Sequence, residues 1–151
     1  MEVIKDNAAL LSNIEVLTLL DSMKRPKYSV QMNEMKEQLS EKEKSLQRFN
    51  TIVYETVKYI EEMPCATQTP ESVKNFLKAI APYSLTKAEK LQLLNMRPTS
   101  LVEIQLLIEE SEERFNEDQM NEILRVVSAT LPPGPEADSK PSSEVDYEEN
   151  G

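Results

Sequence analysis

Acidic side chains crowd one short stretch of this chain, "EESEER", where Glu109, Glu110, Glu112 and Glu113 stand close together. Clustered carboxylates are the groups that calcium sites and general acid–base pairs use. A calcium loop of the EF-hand type also needs a central glycine, which this stretch lacks. An acid–base pair needs carboxylates in different environments, whereas these four follow one another at the end of an amphipathic pattern. We therefore interpret them as a solvated helix face.

The other reactive side chain is Cys65, the single cysteine, and the sequence contains no histidine. A thiol without a histidine partner is a poor candidate for a nucleophile, and one cysteine cannot form an internal disulfide. We therefore predict that Cys65 is a small buried residue. Only 2 of the 151 residues are glycine, which argues against a phosphate-binding loop. The sequence predicts no catalytic residue, no cofactor and no metal site.

The formal net charge of −10 disfavours stand-alone nucleic-acid binding, which usually relies on a basic surface. The amino terminus, "MEVIKDNAALLSN", lacks the basic and apolar regions of a secretory signal. No apolar run approaches the ~20 residues that a membrane span needs. We expect a cytosolic or nuclear protein without a membrane span.

Capping signals recur along the chain and mark the starts of helices. A Ser, Thr or Asn followed three residues later by Glu or Gln forms a capping box, in which each side chain accepts a hydrogen bond from the other residue's backbone N–H. Such pairs are Ser12 with Glu15, Thr86 with Glu89, Ser100 with Glu103 and Asn116 with Gln119, while Thr69 caps a helix that has Pro70 at its first position. With the helical pattern from residue 46, they predict an all-α fold, a five-helix bundle over residues 46–131.

Apolar residues at helical spacing give each predicted helix an inward face. In the helix after Thr86 the inward positions are Ala88, Leu91 and Leu94. The next helix runs from Ser100 to Arg114, with Ile104 and Leu107 opposite the two leucines. In the helix from residue 46 the inward positions are Leu46, Phe49, Ile52, Val53, Val57 and Ile60.

Three segments flank the predicted bundle. Residues 1–25 form an amino-terminal segment with a short amphipathic helix, residues 26–45 a linker or frayed helix start, and residues 132–151 an acidic tail rich in proline and serine. The tail has too few apolar groups to fold, so we predict that it is disordered. An apolar helix set apart from a bundle either folds back on it or buries its face on another chain.

Two groups of residues are candidates for contact with a partner. In the amino-terminal segment they are Leu10, Leu11, Ser12, Asn13, Glu15, Val16 and Leu20. The leading "MEVIK" has the composition to add a strand to a partner's sheet. In the loop "NMRPTS" they are Asn95, Arg97 and Thr99, which we expect to be exposed, with Asn95 ending its helix in a left-handed conformation. Ordinary turn chemistry is the alternative for this loop.

Several of these stretches together resemble one known family. "ALLSNIEV", "YETVKYI", "LTKAEKLQLLNMRP" and "VEIQLLIEESEER" are similar to the small stalk subunits of RNA polymerase III, also known as the calcitonin gene-related peptide receptor component protein family. The resemblance covers about residues 1–20 and 50–131. It implies an amino-terminal tip-associated segment and a helical domain like the one at the carboxyl terminus of certain helicases and RNase D (the HRDC-like fold).

The resemblance also implies a function. A stalk subunit of this kind is non-catalytic: it pairs with an OB-fold subunit, contacts the polymerase III core and initiation factors, and supports initiation at genes for small non-coding RNAs in the nucleus. The alternative that the family implies is an intracellular adaptor coupling a peptide-hormone receptor to signalling, with a cytoplasmic or membrane-associated pool. The family's link to sensing of foreign DNA implies an association with innate immunity. Any nucleic-acid contact would come from local patches such as Lys87, Lys90 and Arg97, or from the partner chain.

Overall fold

The computed structural model describes residues 2, 4, 9–23 and 40–135. Within that part of the chain every regular element is a helix and no strand occurs, which confirms the all-α prediction. The α-helices are α1 (Asn13–Met23), α2 (Glu41–Glu61), α3 (Pro70–Ile80), α4 (Lys87–Met96), α5 (Leu101–Leu107), α6 (Ser111–Arg114) and α7 (Glu117–Thr130). A 3₁₀ helix, Pro64–Thr67, connects α2 to α3.

The predicted caps start the helices where the sequence places them. Reciprocal capping boxes form at Thr86, Ser100 and Asn116, and Thr69 makes one with Ser72. In the last box of the chain, for example, the backbone N–H of Gln119 donates to Oδ1 of Asn116 at 2.8 Å. These bonds satisfy donors that the first turn of a helix otherwise leaves without partners. A further box, Ser40 with Glu43, starts α2 at Glu41, so residues 41–45 of the segment predicted as a linker or frayed helix start are helical.

The larger core lies between the carboxyl-terminal helices. Its fully buried side chains come from α3, α4, α5 and α7: Phe76, Ile80, Leu93, Ile104, Ile123 and Val127. The inward face of α4 differs from the prediction, since Ala88 is exposed and Leu91 only half-buried, whereas Glu89 and Leu93 are buried. The buried Glu89 carboxylate is paired with a half-buried cation.

That cation is Arg114. Its Nη1 donates to Oε1 of Glu89 at 2.6 Å and its Nη2 to Oε2 at 3.0 Å, a bidentate pair. The backbone N–H of Thr86 donates to the same carboxylate at 2.8 Å. Arg114 also donates to the carbonyl oxygens of Ser84 and Glu109, at 2.9 and 2.8 Å. One ion pair therefore joins the start of α4, the loop before it and α6.

The predicted single helix Ser100–Arg114 is broken, which corrects the five-helix description. α5 ends at Leu107, Ile108 is extended, and Glu110 has a left-handed φ of 50°. A continuous helix would stack the like charges of Glu109, Glu112 and Glu113 at i+3 and i+4 spacing, which is unfavourable. The break separates them and directs Arg114 towards Glu89.

A second, smaller core lies under α1. It consists of Leu17, Val53, Val57, Ile60 and Cys65, with Ile14, Val16, Leu20 and Met63 packed around it. The start of α1 lies near the end of α2, where Nδ2 of Asn13 donates to the sulfur of Met63 at 3.6 Å. Of the two alternatives for the amino-terminal helix, the structure therefore shows that it folds back. α2 packs mainly on α1 and the 3₁₀ helix, not on the larger core.

The ion pair makes stability depend on pH in a defined direction. Its hydrogen bonds, those from Arg114 above all, lower the pKa of Glu89 from 4.5 to about 2. Because the pKa is lower in the folded chain, the pair's contribution is complete above pH 4.5 and is lost as pH falls towards 2. We expect Glu89→Gln to reduce the free energy of unfolding by roughly 3 kcal/mol at neutral pH.

This deficit relative to the unsubstituted chain should shrink steadily as urea unfolding is repeated at lower pH through that window. Glu113→Gln is the matched control, since Glu113 is exposed and should show a small difference at every pH. A Glu89→Gln deficit that stays constant down to about pH 2 would contradict the assignment.

Candidate partner-binding surfaces

The start of α1 is fixed by a capping box whose residues we had assigned to partner binding. The backbone N–H and the Oγ of Ser12 both donate to Oε2 of Glu15, at 2.7 and 2.9 Å. Ser12 is buried, whereas Glu15 is exposed. Ser12 is thus a buried residue that fixes the start of α1, whereas Glu15 lies at the surface.

Asn13 and Asn95, predicted to lie in two separate contact segments, meet in one junction. The backbone N–H of Asn13 donates to Oδ1 of Asn95 at 2.9 Å, across 82 positions of sequence. Asn95 lies within α4 and does not end it; Arg97 does, with a left-handed φ of 42°. The prediction that Asn95 is the left-handed residue was therefore wrong. Its amide is instead the hydrogen-bond acceptor that ties α1 to α4.

The loop after α4 is less exposed than expected. Nε and Nη2 of Arg97 donate to the carbonyl oxygen of Leu131 at 3.3 and 3.2 Å. This arginine therefore satisfies a carbonyl at the end of α7 that has no partner within the helix. Only Thr99 is exposed, and its backbone N–H donates to Oε2 of Glu103 at 2.6 Å, the main cause of a lowered Glu103 pKa. The exposure predicted for Asn95 and Arg97 was wrong, because both side chains are bound within the chain.

The apolar residues predicted for partner contact divide into two groups. Val16 and Leu20 are half-buried and pack on the amino-terminal core. Leu10 and Leu11 lie just before α1 and are 70% and 45% exposed. These two leucines lie next to the buried cap residue Ser12, and a large part of each side chain is exposed. They are the part of the prediction that the structure leaves available to another protein.

A row of exposed apolar side chains on α2 was missed by the sequence analysis. Leu46, Phe49 and Ile52 are 43%, 45% and 64% exposed, although we had assigned them inward. α1 has 11 residues and α2 has 21, lengths of about 16 and 31 Å at 1.5 Å per residue. Since α1 lies against the second half of α2, it does not reach the first. Comparing the two helix lengths would have shown that this row lacks cover.

The residues considered as candidates for catalysis or metal binding are either solvated or buried. Glu109, Glu110, Glu112 and Glu113 are exposed, as predicted, but they do not share one helix face, because Glu109 and Glu110 lie between α5 and α6. No group of three potential metal ligands occurs among the residues that the structure describes. Cys65 is fully buried, as predicted, and burial raises its thiol pKa, which disfavours the reactive thiolate. Within the same described ranges, no helix is both long and apolar enough to cross a membrane.

The first residues of the predicted tail are docked. Oγ1 of Thr67 donates to the carbonyl oxygen of Pro133 at 2.7 Å, and Gly134 lies so close to Pro64 that an added Cβ would come within 2.9 Å of its Cα. The folded part thus extends past the expected limit at Leu131. The rest of the tail, the linker up to residue 39, and most of "MEVIK" lie outside the described residues.

The chain is similar to known proteins over most of its length. Residues 10–131 match the RNA polymerase Rpb4 family, a range that contains every helix from α1 to α7. A Dictyostelium discoideum protein, described as DNA-directed RNA polymerase III subunit rpc9, is 32% identical over 133 residues, which cover 84% of this chain and 87% of that protein. A Schizosaccharomyces pombe protein of the same description is 29% identical over 133 residues, 87% of this chain and all of its own length.

The docked segment after α7 predicts where the chain can be shortened. Ending it after Leu131 removes the Pro133 carbonyl and the Gly134 contact, so we expect the melting temperature to fall by about 3–6 °C, the effect of roughly 1 kcal/mol in a domain of this size. Ending it after Pro135 should leave the melting temperature nearly unchanged. Thr67→Val, which removes the hydrogen bond alone, should fall between the two. Equal melting temperatures for both truncations, measured by circular dichroism, would contradict this docking.

Proposed function

The chain belongs to the RNA polymerase Rpb4 family, and we propose that it is a non-catalytic subunit of RNA polymerase III, acting in the nucleus. The observation that carries this proposal is the near full-length similarity to proteins described as subunits of that enzyme. A subunit of this kind contributes binding surfaces, and the described residues agree with that role. Glu109, Glu110, Glu112 and Glu113 are solvated, Glu89 is paired with Arg114, the one thiol is buried, and several large apolar side chains are exposed.

The partner in the proposal is the OB-fold subunit of the polymerase stalk, with which this chain forms a heterodimer that supports initiation. The resemblance of the sequence to small stalk subunits supports this choice. The structure adds surfaces on which such a partner can pack: Leu10 and Leu11 before α1, and the exposed row of α2. In this proposal the amino-terminal residues, including "MEVIK", contact the partner's tip, and the carboxyl-terminal helices form an HRDC-like domain that faces the polymerase core and initiation factors.

Direct nucleic-acid binding by this chain alone has little support. Of the proposed basic patch, Lys87 is exposed and Lys90 half-buried, while the Arg97 guanidinium is bound to the Leu131 carbonyl. Two lysines on a chain of net charge −10 make a weak footprint for phosphate. In the proposed heterodimer, the OB-fold partner makes the contact with RNA. No observation favours the receptor-adaptor alternative, because the relatives that match most of this chain are described as polymerase subunits.

The heterodimer is tested by co-expression with the OB-fold stalk subunit and size-exclusion chromatography. Deleting residues 1–25 is a poor variant, because it also removes α1 and uncovers the amino-terminal core. Leu10→Asp with Leu11→Asp changes only exposed side chains. We expect this double variant to keep its melting temperature and to bind the partner at least about tenfold more weakly, as when buried interface anchors are lost.

The matched control is Leu77→Asp with Leu106→Asp, two exposed leucines on α3 and α5. These substitutions add the same charge to other surfaces and should leave the heterodimer intact. Undiminished heterodimer formation by the Leu10 and Leu11 variant would exclude these leucines as anchors. Absence of any complex with the unsubstituted chain would overturn the choice of partner itself.

A further inference from the structure

A groove lies between α5 and the start of α7, on residues that neither the amino-terminal core nor the proposed heterodimer surface uses. Its volume is about 460 Å³, within the ~300–1,000 Å³ typical of ligand-binding clefts. The lining residues are Leu101, Val102, Gln105, Glu112, Phe115, Asn116, Glu117 and Met120.

The floor of the groove is rigid and apolar. Phe115 and Met120 form it, and both are 6% exposed because they also belong to the larger core. Val102 forms one wall and is 64% exposed. Leu106, one turn further along the same face of α5, is 81% exposed. An apolar ledge therefore continues the groove, and the described chain provides nothing that covers it.

The polar rim carries negative charge. Glu112 and Glu117 both line the groove and are both exposed. The guanidinium carbon of Arg114 lies 5.3 Å from the centre of the Phe115 ring, so this cation covers part of the floor. Its hydrogen bonds go to the Glu89 carboxylate and two carbonyl oxygens, not to Glu112 or Glu117. The amide of Asn116, also on the rim, is held in the capping box of α7. The charged groups on the rim are therefore carboxylates, with the exposed amide of Gln105 beside them, above a floor that favours an aliphatic or aromatic side chain.

We propose that this groove binds a short segment of another protein in which one large apolar side chain is flanked by lysine or arginine. The apolar side chain would occupy the floor over Phe115 and Met120, and the flanking cations would face Glu112 and Glu117. Nucleic acid fits poorly, because its phosphates would meet those carboxylates. A second copy of this chain fits poorly as well, since a symmetric contact would bring the same acids together. The inference does not depend on the polymerase assignment, because it uses only this surface.

The test uses the full chain, ¹⁵N-labelled, and synthetic heptapeptides observed by nuclear magnetic resonance. The probe peptide has a central leucine with two lysines on each side and glycine at both ends. One control peptide replaces the lysines with glutamates, and a second replaces the leucine with glycine. We expect the probe to shift the backbone amides of Val102, Gln105 and Phe115, more weakly as salt rises, and both control peptides to shift them far less.

The chain variant is Glu112→Gln with Glu117→Gln, which keeps the shape of the rim and removes its charge. It should weaken the probe's affinity at least about threefold, as the loss of two exposed charge pairs would. Glu55→Gln with Glu61→Gln removes the same charge from exposed positions of α2 and should leave the affinity unchanged. The proposal is overturned if ~1 mM probe gives no shifts, if the shifts lie elsewhere, or if the two double variants weaken binding equally. It is also overturned if the glutamate peptide or a single-stranded RNA shifts the same amides as strongly.

Discussion

The apolar face of α2 is the constraint on which the amino-terminal half of the fold depends. Val53, Val57 and Ile60 need cover, and α1 provides it through Leu17. Because α1 is only 11 residues long, it covers the second half of α2 and leaves the first half exposed. The same packing therefore accounts for two features: a docked amino-terminal helix, and an apolar row that a partner chain would cover.

Polar contacts join this half to the end of α4. Asn95 accepts from the backbone of Asn13, and Nε2 of the buried Gln68 donates to the carbonyl oxygen of Leu94 at 2.7 Å. Both contacts use the last turn of α4, where backbone carbonyls lack partners within the helix. α1 is thus bound to the end of α4 as well as packed on α2, and the Glu89–Arg114 pair lies at the other end of α4. Leu10 and Leu11 are consequently presented from a fixed point, which reduces the ordering that a partner would have to impose on them.

Features that depend on residues close together in the sequence, such as helix starts, were predicted correctly. Features that depend on contacts between distant residues were missed. The capping boxes at Thr86, Ser100 and Asn116 involve residues three apart, so their spacing alone located the helix starts. The face of α4 depends on Arg114, 25 positions from Glu89, and no local pattern shows that a buried glutamate has a partner there. Arg97 likewise bonds a carbonyl 34 positions away. Of the candidate surfaces, the sequence pointed to Leu10 and Leu11 but not to the groove beside α5. The groove could not be predicted, because its floor and walls come from separate helices.

The docking of α1 is measured most directly by the reactivity of Cys65, the chain's only cysteine, which is fully buried in the core that α1 helps to close. Thiol labelling under native conditions should be slow in the unsubstituted chain. Leu17→Ala should accelerate it by roughly 30-fold or more, because a buried Leu→Ala change costs about 2–5 kcal/mol. Leu19→Ala, two positions along α1 but 50% exposed, should change it little. Rapid labelling of the unsubstituted chain, or equal rates for the two variants, would contradict a docked α1 and the account built on it.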